Sequence, residues 1–440
     1  MGRKRRLPKE LVEARISGFS HEGRGITHDD KGRPVFVDFA LEDELVRYRY
    51  TKLRRSLAEA CAVEIIEPAA ERIEPGCPHF GVCGGCALQH IPAQAQIEHK
   101  ERVLSEQLER IGGVSPEQWL PALTGPSWGY RRKARLAVRL VPKKGGVLVG
   151  FREKHSPLVA PLQSCPVLDP RVGERIGELA RLIESLSIPD KIPQIEVACG
   201  DEQAALVFRH LESLSEADLQ RLSEFAATTG LAVLRQPGDE STVTPVFPEQ
   251  PRLSYAIDQI GIELSFEPTD FTQINAQINA AMVGRALEWL QPASGRRILD
   301  LFCGLGNFTL PLAKSGCAVT GIEGDAALVA RAEQNAAANS VSASFAVADL
   351  TEQAAIEQFR GQYDAVLLDP PRSGAAQMIS AVAATGAERV VYCSCAPATL
   401  ARDVGTLVNK YGFKLSAAGI MDMFPHTAHV ESFAVLDRHN

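Results

Sequence analysis

The sequence predicts an α/β fold. The C-terminal part reads as a doubly wound parallel sheet, preceded by a small β-barrel and a mixed α/β segment. Three observations carry this. From Gly261 onward short apolar runs alternate with helical patterns, the mark of a parallel sheet with crossover connections. Residues 9–66 instead hold short strands separated by glycine turns. Finally, three of the C-terminal apolar runs end in loops rich in Gly, Pro, Asp and Cys, where ligands bind in open parallel sheets.

The barrel strands are expected at Leu11–Ser17, Gly23–Gly25, Val35–Phe39, Glu44–Tyr50 and Ala60–Ile66. Five strands of this size match an OB-like barrel, a fold that commonly binds oligonucleotides. An inert packing domain is the alternative. After it come a cysteine-rich loop and a helix from Ala93 to Ile111. The mixed segment then carries an alternating strand, Ala134–Leu140, and a helix from Arg171 to Leu186. In the C-terminal part strands are expected at 296–302, 317–322, 343–348, 363–369, 389–394, 413–418 and 432–437. The helices between them include Gln273–Leu290, Asp325–Asn339 and Thr399–Tyr411. The boundaries implied are 1–70, 71–260 and 261–440.

Composition bounds the function. The apolar share of 45% and charged share of 23% are those of a soluble globular chain. No apolar run reaches the roughly 18 residues of a membrane span. The basic start, Met1 to Arg6, is not followed by the apolar stretch of a secretory signal. A cytoplasmic monomer without a membrane partner is the expectation. In that compartment ten cysteines point to thiol chemistry or metal binding rather than disulfides. The net charge of −7 is unevenly spread. Between Trp128 and His155 lie nine Lys/Arg against Glu153 alone, interleaved with aromatics. Such a block can face phosphates even in an acidic protein.

The chemistry-bearing loops come next. Asp300-Leu-Phe-Cys-Gly-Leu-Gly-Asn-Phe308 follows the strand Arg297–Leu299. Its glycines let a ligand approach the backbone, and it lacks the third glycine of a dinucleotide fingerprint. Glu323 ends the second strand, where an acid can pair ribose hydroxyls. Asp349 ends the third, within reach of an adenine edge. Asp369-Pro-Pro-Arg372 ends the fourth. Ser394-Cys395-Ala-Pro397 ends the fifth, and a thiol there is placed as a nucleophile. Cys303, Cys317 and Cys393 read as small buried hydrophobes.

These residues resemble the S-adenosylmethionine-dependent uracil-C5 RNA methyltransferases. The run Asp300 to Ala313 carries the likeness, as does Ser394-Cys395-x-Pro-x-Thr paired with Phe424-Pro-His-Thr-x-His-Val-Glu431. The resemblance implies a Rossmann-like class I methyltransferase domain with S-adenosylmethionine as methyl donor. Gln273, Phe302, Asn307, Glu323, Asp349 and Asp369 then match cofactor-contacting positions. Cys395 matches the nucleophile and Glu431 the general base. Arg372 and Gln273 are candidates for positioning the uracil base or its enolate. The N-terminal barrel is similar to the small RNA-binding TRAM domain. With the four cysteines described next, it points to the members acting on 23S ribosomal RNA. Within the family, another rRNA site or tRNA is the alternative target. A non-catalytic iron–sulfur RNA-binding protein and a small-molecule methyltransferase are the rival classes. The first leaves Cys395 and Glu431 idle, and the second leaves the barrel and basic regions idle.

Cys77, Cys83 and Cys86 lie in one Pro/Gly-rich loop, and Cys165-Pro166 lies far downstream. Four thiolates can hold a [4Fe-4S] cluster or a zinc ion. The absence of a second C-x2-C pair favours iron–sulfur over zinc, and the resemblance agrees. Four protein ligands would close the coordination, so a structural role is expected. His79 and His90 read as ordinary surface histidines.

Overall fold

The computed structural model describes residues 7–352, 357 and 362–438. The basic stretch Met1–Arg6 lies outside them. The chain divides into two compact units. One comprises Met1–Lys100, Val149–Leu162 and Phe424–His429; the other comprises Glu101–Leu148, Gln163–Met423 and Val430–Asn440.

In the first unit the sheet holds β1 (Val12–Arg15), β2 (Gly18–Phe19), β3 (Gly25–His28), β4 (Pro34–Asp38), β5 (Leu45–Leu53) and β6 (Ala58–Glu67). Their order is β1-β5-β6-β4-β3-β2. The two outer members are consecutive pieces of one bent strand. Val12–Arg15 pairs with Leu45–Tyr48, and Gly18 pairs with Ile26. Between them Ile16 N–H bonds to Glu44 O and Ser17 N–H to Ile26 O. One strand therefore bonds to both edges and closes the ring, leaving five strands where β1 and β2 count as one. The burial of β5 alternates, so Val46, Tyr48 and Tyr50 point inward. They meet Ile16, Val35, Val37, Ala58 and Ala60 in a single core. Arg72 bonds to the fully buried Glu44 carboxylate, which also accepts the Leu41 and Ala69 N–H groups.

Phe424–His429 belongs to this unit. Gln96 donates to the Leu88 and Ile91 carbonyls and accepts the His426 N–H at 2.8 Å. The His426 carbonyl in turn accepts from Ala87 and Leu88 N–H. Lys100, fully buried, donates to Phe424 O at 3.0 Å.

The second unit contains β7 (Gln118–Trp119), β8 (Lys133–Val141), β10 (Gln194–Cys199), β11 (Ala204–Arg209), β12 (Ala232–Gln236) and β13 (Thr244–Phe247), while β9 (Gly146–Gly150) adjoins β8. A mixed six-stranded sheet runs β13-β12-β11-β10-β8-β9. A hairpin follows, β14 (Leu253–Ile257) and β15 (Ile262–Phe266). The remaining strands are β16 (Arg297–Leu301), β17 (Ala318–Glu323), β18 (Ser344–Val347), β19 (Ala365–Leu368), β20 (Arg389–Ser394), β21 (Phe413–Met421) and β22 (Glu431–Arg438). They form a sheet of order β18-β17-β16-β19-β20-β22-β21-β7. The contacts from β18 to β20 are parallel, while β22 is antiparallel to both its neighbours. Ala365–Leu368 is buried throughout, as a central parallel strand covered on both faces requires.

The seven expected strands are present, joined by an eighth the pattern did not announce. Gln118–Trp119 adds parallel to β21 through Ala417 and Ala418. Helix boundaries also differ. The helix expected over Gln273–Leu290 starts at Ala276, because the Asn275 side chain caps it by accepting the Ile278 N–H. Gln273 is thereby left in the preceding loop. The helix expected over Ala93–Ile111 is α-helical from Ala93 to Gln107 and widens into a π-turn over Leu108–Gly112. The helix expected over Arg171–Leu186 breaks into Pro170–Gly173 and Ile176–Ser185. His90 is not a surface histidine: it is fully buried, with Phe80 and Phe39 beside its ring.

Candidate active site

The strand order reverses between β16 and β19, and the crevice outside their carboxyl ends is where open α/β sheets take ligands. Leu301 on β16 pairs with Leu368 on β19, which pairs with Tyr392 on β20. The residues that follow these three therefore emerge side by side.

From β16, Phe302 turns the chain with φ of 66°. A non-glycine residue rarely takes that conformation, and strain of this kind clusters at ligand sites. Its N–H, like that of Cys303, bonds to Ile322 O and so fixes the bend against β17. Gly306 has φ of 97°, and a Cβ there would press on Leu310. Asn307 accepts the Tyr255 hydroxyl at 2.9 Å and exchanges two bonds with Asn279, each 2.9 Å. Beneath the loop lies Asp300, fully buried, whose Oδ2 accepts the Thr309 hydroxyl at 2.6 Å. Its Oδ1 is buried without a hydrogen-bond partner. Burial pushes this carboxyl up to about 7, and the neighbouring charges of Asp369 and Glu323 add to the shift.

Glu323 ends β17 and reaches back across the loop. Its Oε2 accepts the Gly304 N–H at 3.0 Å, and its Oε1 accepts Gly324 and Asp325 N–H. Asp349 is exposed, two residues past β18, and binds Thr351 through both N–H and hydroxyl. These bonds hold it below the usual carboxylate range. Asp369 follows β19 and accepts from Gln273 Nε2 at 3.5 Å. Desolvation in the crevice pushes Asp369 up to about 6.

Cys395 follows β20 and is half-buried. Ser394 pairs with Ser432 across the antiparallel ladder to β22, so the next step along it sets Cys395 beside Glu431. Glu431 is 8% exposed, a buried acid rather than a surface one. Burial pushes the Cys395 thiol up, and the Glu431 charge adds to this. The Arg372 guanidinium opposes both through its charge and a hydrogen bond to the sulfur. Arg372 is held by its backbone. Thr399 Oγ1 donates to Arg372 O at 3.3 Å, and Arg402 donates to Ser373 O at 3.0 Å. Asp403, 1% exposed, gathers the Tyr392 hydroxyl, Ala375 N–H and Arg402 Nε. Gly374 has φ of 76°, and a Cβ there would come within 2.7 Å of that Asp403 carboxylate.

The chain as a whole is similar to known proteins. The family model of tRNA (uracil-5-)-methyltransferases matches residues 254–439. A 23S rRNA (uracil(1939)-C(5))-methyltransferase RlmD of Alkalilimnicola ehrlichii is 60% identical over 99% of this chain and 98% of its own. The chain belongs to the RNA (uracil-C5)-methyltransferase family. A second methyltransferase of that printed name, from Hahella chejuensis, is 48% identical over 99% of both chains. Among solved structures, the Pyrococcus abyssi tRNA (uracil-54, C5)-methyltransferase in complex with S-adenosyl-L-homocysteine superposes with a TM-score of 0.74. It covers 97% of this chain and 100% of its own at 23% identity, which is a likeness of fold.

In this uracil-C5-methyltransferase chain several residues of the site carried no clear sequence signal. Tyr255 and Asn279 sit outside every motif, and Asp403 is one polar residue on an amphipathic helix. Asp300 did leave a trace, as an acid inside the apolar run Ile298–Leu301. The basic block is partly consumed within the fold. Lys133 donates to Asp270 O, Arg132 pairs with Asp201, and Arg135 pairs with Glu196. Arg135, Arg139, Lys143 and Lys144 keep exposed side chains.

None of the ten cysteines forms a disulfide. Cys77, Cys83 and Cys86 are partly exposed in the first unit, and Cys165 is buried in the second. Gly85 N–H donates to Cys83 Sγ at 3.4 Å, and Cys77 N–H donates to Gln89 Oε1. Among the described residues no set of three or more His, Cys, Asp or Glu stands out as a metal site. No helix among them is long and apolar enough to cross a membrane.

Proposed function

We propose that this chain transfers a methyl group from S-adenosylmethionine to carbon 5 of a uridine in 23S rRNA, at uracil 1939, the position carried in its relatives' names. The placement of Cys395 and Glu431 at adjacent register positions, with Arg372 on the thiol, carries this reading.

Carbon 5 of uracil is a weak nucleophile and needs activation. Cys395 as thiolate adds to carbon 6, forming a C–S bond and pushing charge to the O4 enolate. S-adenosylmethionine, when bound, supplies the methyl group as an electrophile to carbon 5. Glu431 then takes the proton from carbon 5, the C6–S bond breaks, and the thiolate leaves. Arg372 favours the thiolate by charge and hydrogen bond, which opposes without cancelling the upward push of burial and the Glu431 carboxylate. The target base must leave its stack to reach a half-buried thiol.

The cofactor would occupy the crevice between the carboxyl ends of β16, β17 and β19. Glu323 would pair the ribose hydroxyls, Asp349 would face the adenine edge, and Gln273, Phe302, Asn307 and Asp369 would complete the contacts. Support comes from the strained Phe302 and from the buried Asp300 beneath the loop. For RNA, the support is a closed five-stranded ring like an OB or TRAM barrel, and the exposed arginines and lysines from Arg135 to Lys144. Phe271, 69% exposed two residues before Gln273, offers a face for base stacking.

Cys77, Cys83, Cys86 and Cys165 would hold a [4Fe-4S] cluster. The donor set fits in kind: four thiols, one already receiving a backbone N–H as cluster sulfurs do.

The test is methylation of 23S rRNA from a strain lacking this protein, with labelled cofactor and mapping of the modified base. Wild-type chain should label carbon 5 of a single uridine, and Cys395→Ala should label none. Label at another base or in tRNA alone would overturn the assignment.

A further inference from the structure

We infer that Tyr255 and Asn279 are positioning residues that lock the Asn307 amide into one orientation, so that it offers the cofactor a single N–H donor. The inference rests on the reading that Asn307 faces the methyl donor.

The argument is an accounting of hydrogen bonds. An amide oxygen has two lone pairs and an amide nitrogen two protons. The Asn307 oxygen accepts from the Tyr255 hydroxyl and from Asn279 Nδ2, each at 2.9 Å, so both lone pairs are filled. One Asn307 proton goes to Asn279 Oδ1 at 2.9 Å. One proton remains, on a partly exposed side chain at the loop after β16. Flipping the amide would point its nitrogen at Asn279 Nδ2 and deprive the Tyr255 hydroxyl proton of its acceptor. A joint flip of both amides would keep their two mutual bonds, so the Tyr255 hydroxyl, which needs the Asn307 oxygen as acceptor, sets the orientation of the pair. Asn279 is 2% exposed inside the helix Ala276–Leu290, and Tyr255 is 8% exposed on β14. The hairpin β14–β15 is fixed in turn, because Asn335 bonds Ser265 through both its oxygen and its nitrogen. The cofactor atom that meets Asn307 must therefore be an acceptor, and its alignment is set before binding. Preorganisation of this kind lowers the ordering cost of binding.

The experiment is calorimetric titration of S-adenosylhomocysteine into the full chain. Tyr255→Phe removes one hydroxyl without changing shape. It should weaken binding by about three- to tenfold, the scale of one lost hydrogen bond, with thermal stability little changed. Asn279→Ala should weaken it by at least as much. Asn307→Ala should weaken it too, and Tyr255→Phe added to Asn307→Ala should cost nothing further, because its effect runs through Asn307. Tyr255→Phe binding as wild type would overturn the inference, and so would an equal loss in both backgrounds. Unchanged binding by Asn307→Ala would remove Asn307 from the cofactor site and the inference with it. Failure of the wild-type chain to bind would instead sink the functional reading.

Discussion

Glu431 stands beside Cys395 because Ser394 and Ser432 are paired one step earlier on the ladder between β20 and β22. The end of β20 thus lies beside the start of β22, which brings a thiol and a carboxylate to one edge of the sheet from 36 positions apart in sequence. The proximity has a chemical consequence. If Glu431 removes the carbon-5 proton, Glu431→Gln still allows attack and methyl transfer but stalls elimination. The variant should accumulate a covalent protein–RNA species. A denaturing gel should show a slow band that needs both Cys395 and the cofactor. Normal turnover with no band would place the base elsewhere.

The charges around the sulfur make a signed prediction. Burial and the Glu431 carboxylate raise the Cys395 thiol, while Arg372 lowers it. Arg372→Leu should shift thiol ionisation to higher pH, and Glu431→Gln should shift it lower. The rate of iodoacetamide labelling against pH, read by mass spectrometry on the Cys395 peptide, measures this directly. Shifts in the same direction for both variants would contradict the arrangement.

Asp300 should make the fold weaker in alkali. Its carboxyl is pushed up to about 7 in the folded chain, against about 3.9 when unfolded. The folded state therefore holds a proton that the unfolded state has lost over this interval. The stabilisation from the neutral carboxyl is complete below the unfolded value and falls as pH rises through about 7. Asn is isosteric and cannot ionise, so Asp300→Asn should flatten the fall in Tm between pH 5 and 8 in ligand-free protein. An unchanged slope would show that Asp300 is already ionised.

Much of this site was legible because motif and strand end coincide. Glu323, Asp369 and Cys395 each terminate an apolar run, so one topological rule placed them on one edge. Glu431 was readable through its flanking motif, but its burial was not, since a single acid at a strand start looks like surface. What stayed hidden depends on distant contacts. Gln118–Trp119 has no strand pattern of its own and becomes a strand because β21 offers an edge. His90 follows a polar Gln in a loop, and only the packing of Phe39 and Phe80 takes it out of water. Tyr255 and Asn279 meet Asn307 only in the fold and share no local sequence pattern with it. The segments 149–162 and 424–429 join residues 1–100 through contacts that no linear reading displays.

A close helix crossing gives a stability test away from the chemistry. Gly405, in the helix Pro397–Tyr411, lies so near the π-turn that a Cβ would sit 2.5 Å from Gly112 O. The obstacle is backbone and cannot swing aside. Gly405→Ala should therefore destabilise by about 1–3 kcal/mol, the usual scale of overpacking, despite the better helix propensity of Ala. Chemical denaturation would show a lower midpoint with unchanged slope. A stabilised variant would mean that the crossing is looser than the backbone distances indicate.

The cysteines give the last test. If Cys77, Cys83, Cys86 and Cys165 hold a cluster, protein purified without oxygen should be brown and contain about four irons per chain. Elemental analysis must count zinc in the same sample, because four thiolates would hold either metal. One zinc per chain without iron would replace the cluster with a zinc site. Cys165 discriminates between a cluster and a mere group of loop thiols, since it lies about eighty positions downstream of the other three. Cys165→Ser should lose the iron and much of the soluble yield, because binding energy at a structural site is also folding energy. Cys199→Ser is the control. That thiol is also buried, at the end of β10, but stands apart from the cysteine-rich loop. Iron retained in Cys165→Ser, or lost equally in both variants, would remove Cys165 from the ligand set.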